Sequence, residues 1–235
     1  MAKVFIEENS LTAIGNAIRG KTGESALLSP AAMVTAIEGI ETGGGSGNTD
    51  IEDKIITRNL SGEYTNNRIT IVGNSAFEYC TGLTSVNLPN VTVLQGGAFN
   101  YCSNLTSINI PNLILVGMNT FQNTGFTTIA LPKIQKIPSY CFSSCVHLTS
   151  ADFAKVTTIE SGGLNFCTNL VTLILRSETM CSLGSIYGLN ATPIQNGTGY
   201  IYVPAALLET YKTATNWVTF AAQFRAIEDY PDICG

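Results

Sequence analysis

The 235-residue sequence has little charge: 12 Lys and Arg and 17 Asp and Glu together make 12 % of the chain, with a net charge of −5. Proteins that grip a phosphate backbone need a stripe of Lys and Arg to release its counterions. The basic residues here are scattered, so no nucleic-acid partner is expected. Long apolar runs are missing too, although 45 % of residues are apolar. A bilayer span needs about 18 consecutive apolar residues, and their absence argues against membrane insertion. The opening stretch MAKVFIEENS holds a lysine and then two glutamates without an apolar segment between them. It lacks the form of a secretory signal. The glycines of TGGGSGNT, residues 42–49, are not followed by the Gly-Lys-Ser/Thr of a phosphate-binding loop. That stretch reads as a flexible linker.

What the sequence has in abundance is repetition. The stretch IVGNSAFEYCTGLTSVNLPNVT, residues 71–92, is restated over 93–114, 115–135, 136–157 and 158–179, with a single residue missing from the third repeat, 115–135. One column reads Phe77, Phe99, Phe121, Phe142, Leu164, and another Cys80, Cys102, Thr124, Cys145, Cys167. A third reads Leu83, Leu105, Phe126, Leu148, Leu170, followed three and five residues on by further apolar positions. The last two apolar positions alternate with polar ones, the period of a strand with one buried face. Ser85 and Asn87, Ser107 and Asn109, Thr128 and Ala130, Ser150 and Asp152, Thr172 and Ile174 are then expected to face outward. Pro89, Pro111 and Pro132 end the strand in the first three repeats, since a missing N–H interrupts a longer ladder. A second extended segment follows, with apolar pairs three apart such as Val91 and Leu94. One such unit cannot bury its own apolar face, so stability must come from stacked neighbours.

Four of the seven cysteines recur at the repeat period, which makes them small buried residues of a ladder. Equivalent side chains in a stack point the same way, so free thiols are expected rather than disulfides. The sole histidine, His147, follows Cys141 and Cys145. A zinc site requires ligands that converge, whereas Cys145 belongs to the inward ladder and His147 to a variable position; no metal or cofactor is expected. A reactive Cys–His pair would need an exposed electropositive setting. The acid pairs Glu7 and Glu8, Glu52 and Asp53, Glu228 and Asp229 lie near the ends. Asp152 has no second carboxylate with which to flank a glycosidic bond. The chain is therefore read as noncatalytic.

Outside the repeats, Leu11, Ile14 and Ile18 share one helical face between Ser10 and Gly20, and Ser29-Pro30 opens a second helix carrying Met33, Ile37 and Ile40. These predict a helical hairpin over residues 1–41, the linker over 42–49, and a repeat domain over 50–235. Within that domain, 50–70 is a leading cap with a turn at Ser61-Gly62, 71–179 the repeats, and 180–235 a degenerate repeat and closing cap. In the closing cap, GYIYVP (199–204) reads as the last strand, 205–212 as a helix, and Trp217, Phe220, Phe224 and Ile227 as a final apolar group.

The phrase A-F-x-x-C-x-x-L-x-x-Φ-x-L-P resembles the BspA-type, or treponemal-type, leucine-rich repeats of bacterial surface and phage-encoded proteins, over about residues 51–230. The closing phrase Y-V-P-x-x-L-x-x-Y-K-x-A-x-N-W resembles the C-terminal closure of that family. The N-terminal phrase L-T-A-I-x-x-A-I-R-x-K-T-G resembles tail-associated structural proteins of phages and prophages of Gram-positive bacteria. The resemblance implies an α+β, mainly β fold: a right-handed leucine-rich-repeat solenoid of about five 22-residue coils with capping elements and a short N-terminal helical hairpin. It also implies a binding surface rather than an active site. The expected role is a phage- or prophage-encoded tail-associated protein, with a BspA-like cell-surface adhesin as the alternative. The expected partner is a protein or a cell-surface glycan, with self-association or virion assembly through residues 1–41. The outward strand positions named above are the expected contact surface. The expected location is the virion, or the cytoplasm until release; it becomes the cell surface if a signal has been removed.

Overall fold

The computed structural model describes residues 60–234. The expected helical hairpin, the linker and the first part of the leading cap lie outside the described residues. Alternation of apolar and polar residues builds a long series of short strands, β1 (Ser61–Thr65), β3 (Gly82–Asn87), β5 (Ser107–Asn109), β7 (Thr128–Ala130), β9 (Ser150–Phe153), β11 (Thr172–Leu175), β13 (Tyr200–Val203) and β14 (Phe224–Ala226). The apolar pairs three apart give a second series of two-residue strands: β2 (Ile71–Val72), β4 (Val93–Leu94), β6 (Leu115–Val116), β8 (Lys136–Ile137), β10 (Thr158–Ile159) and β12 (Ser182–Leu183). All pairings among the described residues are parallel. The result is a mainly β, leucine-rich-repeat type fold in which each repeat hydrogen-bonds to the next.

Between the two series runs the A-F-x-x-C turn, which keeps its own ladder. Phe77 N donates to Ala98 O, Phe99 N to Thr120 O, Phe121 N to Cys141 O and Phe142 N to Gly163 O, at 2.8–2.9 Å. Alternate N–H groups bond within the turn, as Ala76 N does to Gly73 O and Glu78 N to Ser75 O. One donor crosses to the neighbouring repeat while the next closes a local turn, so the buried backbone is satisfied. This alternation requires left-handed residues, and Tyr79, Tyr101, Asn123, Ser144 and Phe166 all have φ between 56° and 61°. Inside, the phenyl rings stack at centroid distances of 4.8 Å (Phe77–Phe99), 6.0 Å (Phe99–Phe121) and 5.3 Å (Phe121–Phe142). All seven cysteines are buried free thiols. The cysteine column does more than fill space: Cys102, Cys145 and Cys167 donate their S–H to Phe77, Phe121 and Phe142 carbonyls, one repeat back, at 2.9–3.1 Å.

Both strand series are interrupted, so the sheets do not close into one solenoid. The pairings give β1-β3-β5 and β2-β4-β6 before the interruption, and β7-β9-β11-β13-β14 and β8-β10-β12 after it. Both breaks fall between β6 and β7 in the chain, where the third repeat lacks its residue between Thr124 and Phe126. There Gly125 runs so close to the second repeat that a Cβ on it would sit 2.6 Å from Ser103 O. The turn ladder carries on through the break, with Gly97 N bonded to Met118 O and Asn119 N to Ser139 O.

Two expectations about the strands near the ends are corrected. Ser61-Gly62 is no turn: β1 pairs with β3 across it, with a register shift between Gly62 and Glu63 that Gly62 absorbs at φ 77°. The GYIYVP segment forms β13, yet it is not the last strand, because Phe224–Ala226 pairs beside it as β14. Three residues are too few for a periodic signal. Residues 180–198 carry no repeat phrase and extend the ladders: β12 pairs with β10, and Leu164 N donates to Gly188 O. Trp217, Phe220 and Phe224 close the main core, whereas Ile227, expected with them, packs in a separate cluster with Ile174, Tyr202 and Cys234. Tyr211 Oη accepts from Cys181 N at 2.7 Å and Trp217 Nε1 donates to Cys181 O at 2.6 Å, with α1 (Leu208–Thr213) carrying the tyrosine.

Candidate functional site: the outward strand face

The pleat sends alternate residues of β3, β5, β7, β9 and β11 outward, and parallel register lines them up. Ser85 lies beside Ser107 and Asn87 beside Asn109; Thr128, Ser150 and Thr172 form one row, and Ala130, Asp152 and Ile174 the next. Glu63 and Thr65 extend the two rows at one end, and Tyr200 and Tyr202 at the other. Those four escaped the sequence reading because β1 and β13 do not carry the repeat phrase.

The rows split into two chemically different halves. On β3 and β5 the face is neutral and hydrogen-bonding, and Asn109 Nδ2 donates to Asn87 Oδ1 at 2.7 Å. Asn109, Ser107, Thr128 and Ala130 are exposed, while Ser85 and Asn87 are half-buried. On β9 and β11, Asp152 accepts a bidentate grip from Arg176 at 2.7–3.0 Å, which pushes the guanidinium's pKa up. Ser150, Asp152 and Thr172 are half-buried, and Ile174 faces outward but is only 3 % exposed. Arg225 lies over the Tyr200 ring at 4.4 Å. Between the halves the strand break leaves a notch of about 280 Å³, lined by Thr106, Ser107, Ile108, Phe126, Thr128, Ile129 and Ala130.

The residues weighed for chemistry do not converge. Cys141 and Cys145 are fully buried whereas His147 is exposed. Burial pushes the Cys102 and Cys181 thiols up to about 12, and burial raises that of Cys141 as well. Shifts in this direction favour the protonated thiol over the thiolate.

Two further surfaces escaped the sequence reading. The turn side exposes Tyr79, Tyr101, Tyr140, Phe166 and Tyr187, with Tyr79 stacked on Tyr101 at 4.9 Å. Their left-handed backbone is what turns several of these aromatics outward. On the second strand series the outward row Ile71–Val93–Leu115 is apolar, and Ile114, Leu115 and Met118 are 52, 61 and 59 % exposed. Past the break the corresponding row is Lys136, Thr158 and Ser182.

The repeat pattern of BspA type leucine rich repeat regions matches residues 66–186 in six copies, more than half of the chain. The chain belongs to this family. Its BspA-type repeats account for the paired strand series and the A-F-x-x-C turn just described. No curated protein matches the chain. Among solved structures, a leucine rich cell surface protein from Faecalibacterium prausnitzii A2-165 is similar, at 21 % identity and a TM-score of 0.37, over 55 % of this chain and 43 % of its own. The BspA-type chain thus spans less than half the length of that protein.

Proposed function

We propose that the chain is a noncatalytic binding or adhesion module whose outward strand face recognises a protein or a cell-surface glycan. The observation that carries this reading is the separation of duties within each strand. Inward residues hold the phenylalanine, cysteine and leucine ladders, while outward residues, in register within each half, change from Asn87 and Asn109 on one side of the break to Ala130, Asp152 and Ile174 on the other without disturbing them. Repeat scaffolds use such faces because side chains there vary at little cost to the fold. The accessible part runs over Ser107, Asn109, Thr128 and Ala130, beside the notch.

In the finer form of the reading, the repeats make a right-handed stack of about five 22-residue coils, residues 1–41 are a helical attachment hairpin, and 42–49 a linker. The module then belongs to a phage or prophage tail, where residues 1–41 mediate self-association or assembly. The second reading, a BspA-like adhesin at a bacterial surface, is equally supported by the repeat family. A screen against immobilised glycans and bacterial or host surface proteins tests the common core of both. The Asn109→Glu/Thr128→Glu double variant should stay folded and lose the binding found for the unaltered chain. Undiminished binding would move recognition to another face.

A further inference from the structure

The outward row Ala130–Asp152–Ile174–Tyr202 meets solvent at its first member and not at its last two. Ile174 and Tyr202 are each 3 % exposed, and the groups that close over them come from the end of the chain: Cys234, with Ile227 and Tyr230 packed alongside. Tyr230 sets its edge against Tyr202 at 5.4 Å. This small cluster is separate from the main core and shares none of its ladders. The segment ends in a single helical turn, α2 (Pro231–Cys234). Its backbone bonds close within itself, from Tyr230 N to Ile227 O and from Ile233 N and Cys234 N to Tyr230 O, at 3.0–3.1 Å. Just before it, Glu228 Oε2 accepts from Ala205 N at 2.9 Å and ties the chain down. Each repeat, by contrast, sends backbone donors across to its neighbour. Opening residues 230–234 therefore breaks side-chain packing and no inter-repeat ladder, which puts the segment at the low end of local stability.

We infer that residues 230–234 are a displaceable strap over the outward face of β9, β11 and β13, and that the face beneath is a conditional docking surface for a peptide of the strap's own chemistry. The occupant follows from what is seated there: an aromatic ring against Tyr202 and a small apolar group clustered with Ile174 and Tyr202, beside the Asp152–Arg176 pair. The opening stands on packing alone. The use of the uncovered face rests on the strand-face recognition proposed above.

Cys234 is a built-in reporter, because the other six cysteines all lie in the main core. In the full chain under native conditions, iodoacetamide should modify Cys234 first, at a rate insensitive to low urea. The other six thiols should react at rates that climb with urea. Tyr230→Ala should speed Cys234 labelling about five- to tenfold, the loss of one aromatic pair, with the melting temperature unchanged. A Cys234 as protected as Cys145, with the same urea dependence, would show the segment to be part of the cooperative core and overturn the inference. The docking surface has its own test: a chain ending at Asp229 is titrated with a synthetic peptide of residues 228–235 carrying Cys234→Ser. Saturable binding that Ile174→Asp abolishes is expected. No binding, with the truncated chain folded, overturns the docking surface while the thiol kinetics still decide whether the strap opens.

Discussion

Phe99→Ala probes the repeat stack at its most connected point. The ring is fully buried and lies between Phe77, at 4.8 Å and 10° from parallel, and Phe121, at 6.0 Å and 9°. Truncating a buried Phe costs about 3–5 kcal/mol through lost transfer energy and the cavity left behind. Here the cavity is walled by two aromatic rings and by backbone fixed in the turn ladder, through Phe99 N to Thr120 O. Those walls cannot collapse without breaking inter-repeat hydrogen bonds, which places the cost toward the upper end of that range. The 6.0 Å spacing at the strand break makes the Phe121 contact the weaker of the two, so Phe77→Ala, with Tyr64 edge-on at 5.1 Å and Phe99 as its partners, should cost a comparable amount. Urea denaturation followed by tyrosine and tryptophan fluorescence measures both. Because stability in a repeat array is a sum of unit and nearest-neighbour terms, the loss should show first in the N-terminal repeats, away from Trp217. A cost below about 1 kcal/mol for Phe99→Ala would mean that the stack can relax around the gap, and the reasoning from ladder rigidity would be wrong.

Two further predictions concern polar contacts inside the stack. Cys102→Ala removes a donor to Phe77 O and leaves a small gap, and should cost about 1–2 kcal/mol; Cys102→Thr, whose hydroxyl can close on its own turn as that of Thr124 does on Phe121 O at 2.9 Å, should fill the gap and cost less. Equal losses in urea midpoints would reduce the thiol to a space-filler. Glu160 accepts from Lys136 and from Ser139 N and Oγ, and the Lys136 contact first among these holds its carboxyl below the ordinary range. A depressed folded value means the contribution is present above the unfolded carboxyl's pKa of about 4.3 and is lost as pH falls through the folded value. The stability gap between the unaltered chain and Glu160→Gln should therefore shrink on acidification, and a gap that is constant from pH 7 downward would contradict this.

The repeat period, the inward columns and the outward register were all legible in the sequence, because side-chain alternation and burial are local and repeated: Phe77, Phe99, Phe121 and Phe142 are buried in one stack, and Asn87 sits beside Asn109. The backbone of the turn was not. Left-handed φ values at Tyr79, Tyr101 and Phe166 contradict residue preference, since such a conformation costs an L-residue about 1–2 kcal/mol and is kept only because the inter-repeat ladder holds it. The missing residue of the third repeat was visible, but its consequence was not, since losing one residue before β7 interrupts two separate strand series at once. The outward position of Ile174 was likewise legible and its burial was not, because the segment that covers it lies some 60 residues further along the chain and carries no repeat signal.

The claim that the outward strand face is the recognition surface is tested most directly by mapping amide hydrogen exchange in the free chain and in complex with a ligand found by the binding screen. Protection should rise over β3, β5 and β7, which carry Asn87, Asn109 and Ala130, and around the notch at Ile108 and Ile129. Exchange at the turn residues Tyr79, Tyr101 and Phe166 should stay as it is in the free protein. Protection confined to the turn side, with the strand face unchanged, would contradict the assignment.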